Sequence, residues 1–198
     1  TTLDFPRDWG LGSSSTLINN VAQWAQVDPF DLHFKVSNGS GYDIACAKED
    51  SPIVYLTRHQ IQTINPIQLE KSFFDQVFFV HLNKKQNSFD AVTLYNDIKT
   101  EIELQDCIES LNQITNKFIQ ADTLQEWEAA MNEHEHLIST ILEQETIKEK
   151  LFPMYPYSIK SLGAWGGDFI MATGALNGMN YFIHKGYNTI IQWKDMAL

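Results

Sequence analysis

The sequence predicts an α+β fold. Two amphipathic stretches, Ser88 to about Gln120 and Asp122 to about Gln144, occupy the middle of 198 residues, and short strand-like runs lie on both sides of them. Small-residue loops at Gly10 to Ser15, Asn38 to Asp43 and Gly163 to Asp168 punctuate those runs.

Each element follows from local pattern. Leu3-Asp4-Phe5-Pro6 is extended and leads into Trp9-Gly10-Leu11-Gly12-Ser13-Ser14-Ser15-Thr16. From Ser15 to Gln26 the residues Leu17, Ile18, Val21, Ala22, Trp24 and Ala25 recur at helical spacing, which predicts a helix with a broad buried face. Asp28 as N-cap and Pro29 at the first helical position start a second short helix that ends before Ser37-Asn38-Gly39-Ser40-Gly41. Tyr42 to Ala47 forms a third. Pro52 to Thr57 and Ile61 to Ile64 read as a hairpin turning through Arg58-His59-Gln60, and Val77 to Leu82 as a strand covered on both faces. Asn83 to Ser88 is a polar connection. The long helices present Ile108, Leu111 and Phe118, then Leu124, Trp127, Met131, Ile138 and Ile141, on their apolar sides. Beyond Pro153 come a strand from Tyr157 to Ser161, a glycine turn from Gly163 to Asp168, a strand from Phe169 to Ala172, a helix from Asn177 to Lys185 and a last strand from Asn188 to Trp193.

Composition narrows the partners. The formal net charge is −11 and the pI about 4.8, so a nucleic-acid backbone would be repelled, and any nucleotide must be held locally. Cys46 and Cys107 are too few for a disulfide framework or a zinc site; reduced, packed thiols and a cytoplasmic location are expected. No apolar run spans a bilayer, so no membrane partner is expected.

The serine loop has the layout of an anion site at a helix start: glycines let the backbone approach a phosphate, amides point along the helix axis, and hydroxyls can serve a metal ion. It is no Walker A loop, because no lysine precedes Lys35. Read alone, such a turn is more often a plain helix cap. Three small-residue loops in one chain weigh against that reading for all of them. Among other candidates, Glu133-His134-Glu135-His136 is expected to be a solvated helical face, because the two histidines do not share a side of the helix. Lys160 is expected in solvent and Asp168 either caps its loop or binds a cation or substrate.

The string Gly10-Leu11-Gly12-Ser13-Ser14-Ser15-Thr16 resembles the phosphate loop of the GHMP kinase superfamily, which includes galactokinase, homoserine kinase, mevalonate kinase and phosphomevalonate kinase. Ser40-Gly41-Tyr42-Asp43-Ile44-Ala45 is similar to the second segment of its mevalonate kinase-like members and reproduces the Gly-Tyr-Asp-Ile-Ala string of one bacterial subfamily. Gly163-Ala164-Trp165-Gly166-Gly167-Asp168 resembles the third glycine loop, in the form found in phosphomevalonate kinases. The resemblance implies a GHMP-type α+β fold with a ferredoxin-like C-terminal part, divided into residues 1–65, the remainder of a phosphate-loop domain, and residues 66–198.

It further implies ATP and Mg²⁺ as cofactors. Gly10, Leu11, Gly12, Ser13, Ser14, Ser15, Gly163, Gly166 and Gly167 would bind the nucleotide, Ser14 would ligate the metal, and Asp43 would take the proton of a small-molecule acceptor such as mevalonate or phosphomevalonate. There are departures. Trp165 stands where the family has glycine, the glutamate ahead of the second loop has only Asp31 near its place, and the N-terminal motif and strands have no counterpart. The chain is therefore expected to be the C-terminal two-thirds of a kinase, inactive by itself and open to pairing with its own N-terminal segment. The alternative is a non-catalytic module that keeps the fold.

Overall fold

The computed structural model describes residues 2–37, 39–58, 61–84, 101–163, 165 and 167–197. The expected elements at residues 85–100, the hairpin turn at His59 and Gln60, and the loop positions Asn38, Ala164 and Gly166 lie outside the described residues. The chain divides into two compact units, Thr1–Glu70 and Lys71–Ala197.

In the N-terminal unit, helices α1 (Ser13–Ala25), α2 (Pro29–Val36) and α3 (Tyr42–Lys48) precede a hairpin of β1 (Ile53–Arg58) and β2 (Ile61–Pro66). Asp28 caps α2, accepting from the amides of Phe30 and Asp31 at 2.8 and 3.2 Å. The broad buried face expected of α1 is corrected: Ala22 is fully buried, but Leu17, Val21 and Trp24 are exposed, Trp24 by 85%. Among the described residues of this unit the buried apolar ones are Ala22, Ile44 and Ala45.

In the C-terminal unit a four-stranded sheet has the order β4-β5-β3-β6, where β3 is Val77–His81, β4 Ile159–Ser161, β5 Phe169–Thr173 and β6 Ile190–Gln192. Every neighbouring pair is antiparallel. Between β3 and β4 run α4 (Glu101–Gln120), α5 (Leu124–Leu142) and α6 (Ile147–Leu151), and between β5 and β6 runs α7 (Ala175–His184). This is the split βαβ order of ferredoxin-like sheets.

All five residues of β3 are buried, which accounts for its unbroken apolar run. Register places Ala172 between Phe78 and Ile159, and Val80 beside Ile170. Those residues join Ile147, Phe152, Tyr155 and Phe182 in one core. On the other side Phe79 faces Trp193, with ring centroids 5.6 Å apart, and Trp193 stacks on Phe74 at 3.9 Å. Trp193 was expected to end the last strand; instead it begins a helical turn, α8 (Trp193–Met196), which turns its ring onto this aromatic cluster. Trp127 of α5 completes the cluster, 5.2 Å from Phe74 and 4.8 Å from Phe118 of α4.

On α4 the apolar side runs through Ile114, which is buried, whereas Ile108 is 42% exposed, contrary to expectation. A capping box opens α5, in which Thr123 and Glu126 satisfy each other's backbone amides. Backbone amides of Asp122, and then the hydroxyl and amide of Thr123, hold the exposed Glu126 carboxyl below its ordinary value.

Two outcomes follow. Gly178 of α7 is buried, and a Cβ there would come within 2.4 Å of Tyr155 Oη and 2.7 Å of the Thr173 carbonyl. Gly178→Ala is therefore expected to destabilise the C-terminal unit by about 1–3 kcal/mol in urea unfolding, despite its gain in helix propensity. Glu126 carries a lowered carboxyl value, so its contribution is present above the unfolded carboxylate value, roughly 4.3, and is lost as pH falls through the folded one. Glu126→Gln should flatten the acid limb of the stability profile and leave its neutral-to-alkaline limb parallel to that of the parent chain.

Candidate functional site

The glycines of the serine loop set its backbone. A short 3-10 turn, Arg7–Trp9, ends at Gly10 in the left-handed region, and Gly12, at φ 75° and ψ 26°, is the N-cap of α1. Glycine adopts that conformation without steric cost and offers no side-chain acceptor. The helix accordingly starts with no side-chain cap, so the amides of Ser13, Ser14 and Ser15 stand at the positive end of a 13-residue helix without intrahelical acceptors.

The hydroxyls divide into two sets. Ser15 is 7% exposed and donates to the Gly12 carbonyl at 2.8 Å; Thr16 donates to the same carbonyl at 3.0 Å. Ser14 is exposed and Ser13 and Leu11 are half-buried. A metal could therefore be served by Ser14, whereas Ser15 offers its amide alone.

Asn19, one turn along, was missed at the level of sequence. Its side-chain amide donates to the Ser15 carbonyl at 3.3 Å and to the Ile44 carbonyl at 3.1 Å, tying α1 to α3. The signal was a polar residue inside an apolar helical pattern, four residues after Ser15. Ile44 follows Asp43, which lies in the first turn of α3, just after Gly41, and is exposed. The serine loop and Asp43 thus belong to two helices of one unit, bonded through one side chain. Tyr55 Oη donates to the Ser40 carbonyl at 2.6 Å and holds the loop before α3 to the hairpin.

The third loop belongs to the C-terminal unit, where it joins β4 to β5. Gly163 is left-handed at φ 62°, Trp165 is half-buried with φ 35°, and Gly167 is buried. Gly166 lies outside the described residues. The Asp168 carbonyl accepts from Leu82 N at 2.8 Å, which anchors the loop's exit to the end of β3.

Two expectations beside this loop are corrected. Lys160 is half-buried, its Nζ donating to the Ser161 carbonyl at 3.1 Å; burial holds its ammonium below the usual lysine value, offset in part by Glu135. Glu135, assigned to a solvated face, is 4% exposed and accepts from Ser161 Oγ at 2.9 Å. It continues the i, i+4 series of Trp127 and Met131, which was the readable sign of its burial. Glu133 and His136 are exposed. Among the described residues no group of three His, Cys, Asp or Glu could hold a metal. Neither cysteine is in a disulfide, and they are not packed away, Cys46 being exposed and Cys107 intermediate.

A cleft of about 880 Å³ opens in the N-terminal unit between α2, the loop after it, the end of α3 and the hairpin. Neither the serine loop nor Asp43 lines it. Among the described residues no helix is long and apolar enough to cross a membrane.

No protein-family model matches the chain, and no curated protein sequence does. Among solved structures, the fold is similar to that of L. major mevalonate kinase, crystallised in complex with R-mevalonate. The TM-score is 0.61 at 15% sequence identity, and the match covers 91% of this chain and 64% of that one. The likeness is one of fold, mixed helix and sheet of a kinase-like kind, and the chain spans less than two-thirds of its neighbour.

Because Asn19 gives both its bonds as a donor, Asn19→Ala should lower stability by about 1–2 kcal/mol in urea unfolding. Asn19→Asp, which presents a carboxylate to the Ile44 carbonyl, should cost at least as much. Equal stability of all three chains would show that the tie between the helices is not made.

Proposed function

We propose that the chain is the greater part of an ATP- and Mg²⁺-dependent small-molecule kinase of the GHMP type, acting on mevalonate, phosphomevalonate or a similar small metabolite. The observation that carries this reading is the uncapped, serine-rich start of α1, bonded through Asn19 to the helix whose first turn bears Asp43. Phosphoryl transfer asks for positioned anionic oxygens, a compensating cation and an oriented hydroxyl. Fold likeness to mevalonate kinase supports the same reading.

The residues present fit a nucleotide. The amides of Ser13, Ser14 and Ser15 would receive phosphate oxygens, with Gly10, Leu11 and Gly12 allowing close approach; nucleotide binding by Gly163, Gly166 and Gly167 is proposed on the resemblance of their loop alone. A lone exposed hydroxyl, that of Ser14, fits Mg²⁺ only as an ion that arrives with phosphates and keeps much of its water. ATP and Mg²⁺ supply the transferable phosphoryl group and the charge that offsets it. Asp43 would accept the proton of the acceptor hydroxyl at a carboxylate oxygen, a task suited to an exposed aspartate with no hydrogen-bond partner among the described residues.

A second reading, a non-catalytic module of the same fold, is favoured by Trp165, which holds a left-handed backbone at a position where the resembled loop has glycine. The two readings part in the full-length protein, assayed for phosphoryl transfer to mevalonate, phosphomevalonate, homoserine and sugars. A kinase should turn over one of them, Asp43→Asn should reduce kcat by about 100-fold or more with an unchanged unfolding midpoint, and Ser14→Ala should weaken Mg²⁺-ATP binding. Nucleotide binding with no turnover on any acceptor would favour the module, and absence of nucleotide binding would sink both.

A further inference from the structure

We infer that the cleft of the N-terminal unit is a binding site for a small zwitterion, an α-amino acid with an apolar side chain. Neither the serine loop nor Asp43 lines the cleft, whereas Ser40, at the start of the segment that bears Asp43, does; the inference does not depend on the kinase reading.

The walls make the case. Asp31, in the first turn of α2, and Lys48, in the last turn of α3, both line the cleft. They carry opposite charges on different helices, both are exposed, and among the described residues neither side chain has an ion-pair or hydrogen-bond partner. Asp28 also lines the cleft, but its carboxylate is committed to the amides of Phe30 and Asp31. One uncommitted anion and one uncommitted cation therefore face the same space.

The hairpin wall is polar where packing would call for apolar residues. Thr57 and Gln62 are cross-strand partners, and both line the cleft beside Ile64. Both side chains already interact within the chain, Thr57 with Tyr55, so they form a polar wall and leave charge recognition to Asp31 and Lys48. Phe30 and Phe34, stacked with ring centroids 6.4 Å apart, form the apolar wall. The volume lies within the range of small-molecule sites, roughly 300–1,000 Å³.

Charge selects among ligand classes. A phosphorylated ligand would meet two carboxylates against a single ammonium. A simple amine would leave Lys48 unpaired, and a neutral sugar would engage neither charge. A zwitterion pairs with Asp31 through its ammonium and with Lys48 through its carboxylate. Exposed single pairs are weak in water, so recognition requires both ends at once, with the side chain on the phenylalanines.

The test is titration calorimetry of the 198-residue chain with L-leucine, L-methionine, L-phenylalanine and L-tyrosine, repeated with their N-acetyl and methyl-ester derivatives. Saturable binding of at least one free amino acid is expected. Blocking either of its charges should weaken binding by about tenfold, as should Asp31→Asn or Lys48→Met. Lys48→Met should bind Mg²⁺-ATP as the parent does, so failure here is distinguishable from failure of the kinase reading. No saturable binding by any of the four, or binding that survives ligand blocking or both substitutions, overturns the inference.

Discussion

The C-terminal unit is governed by one requirement, that both faces of β3 be kept from water. A strand with five buried residues cannot lie at a sheet edge or present a face to solvent without losing roughly 1.5–3 kcal/mol for each large apolar side chain uncovered. The order β4-β5-β3-β6 places it inside the sheet, the core of Phe152, Tyr155 and Phe182 covers one face, and the ring cluster of Phe74, Trp127 and Trp193 covers the other. Even the polar burial follows. α5 brings Glu135 into the interior along with Trp127 and Met131, and the cost of that carboxylate is offset by Ser161 and the nearby Lys160, the residues that lead into the third glycine loop.

The N-terminal unit is held by a different balance. Its buried apolar residues include two alanines, and α1 leaves Leu17, Val21 and Trp24 on its open side. Alanines let α1 and α3 approach closely but bury little area, so the two-way bond from Asn19 carries more of the connection than a side-chain amide usually does. Hydrogen bonds are directional where apolar contact is not. A weak but directional tie between the helix that starts with serines and the helix that starts with Asp43 favours geometry over stability, which is the compromise expected where function rests on position.

Periodicity made most of the elements legible because each has a simple burial pattern. The unbroken run at Val77 to His81 gave the central strand, and Asp28-Pro29 gave the start of α2, since capping chemistry is local. Burial was less legible. The apolar spacing of α1 implied a covered face, but spacing says which side of a helix is apolar and not whether anything packs on it. Glu135 was read by residue type, when its spacing from Trp127 and Met131 was the better guide. Trp193 left the strand for a helical turn because its ring had an aromatic cluster to join, a long-range cause that no local window contains. At the serine loop the sequence offered equivalent hydroxyls, and only the fold separates Ser15, turned onto the Gly12 carbonyl, from the exposed Ser14.

That separation bears on what the loop can hold. The positive end of a helix stabilises an anion by only about 0.3–1 kcal/mol near the surface, up to ~2 when partly buried. The chain as a whole carries a net charge of −11, and α3, bonded to α1, adds Asp43 in its own first turn. A bare triphosphate would meet that field with little besides backbone amides to oppose it. The balance changes when the anion arrives already paired with a divalent cation: its net charge falls, the exposed hydroxyl of Ser14 becomes a possible metal ligand instead of a spectator, and repulsion with Asp43 is reduced. On the proposed kinase reading, an acidic chain with an uncapped serine loop would therefore be better matched to a metal-paired phosphate than to a free one.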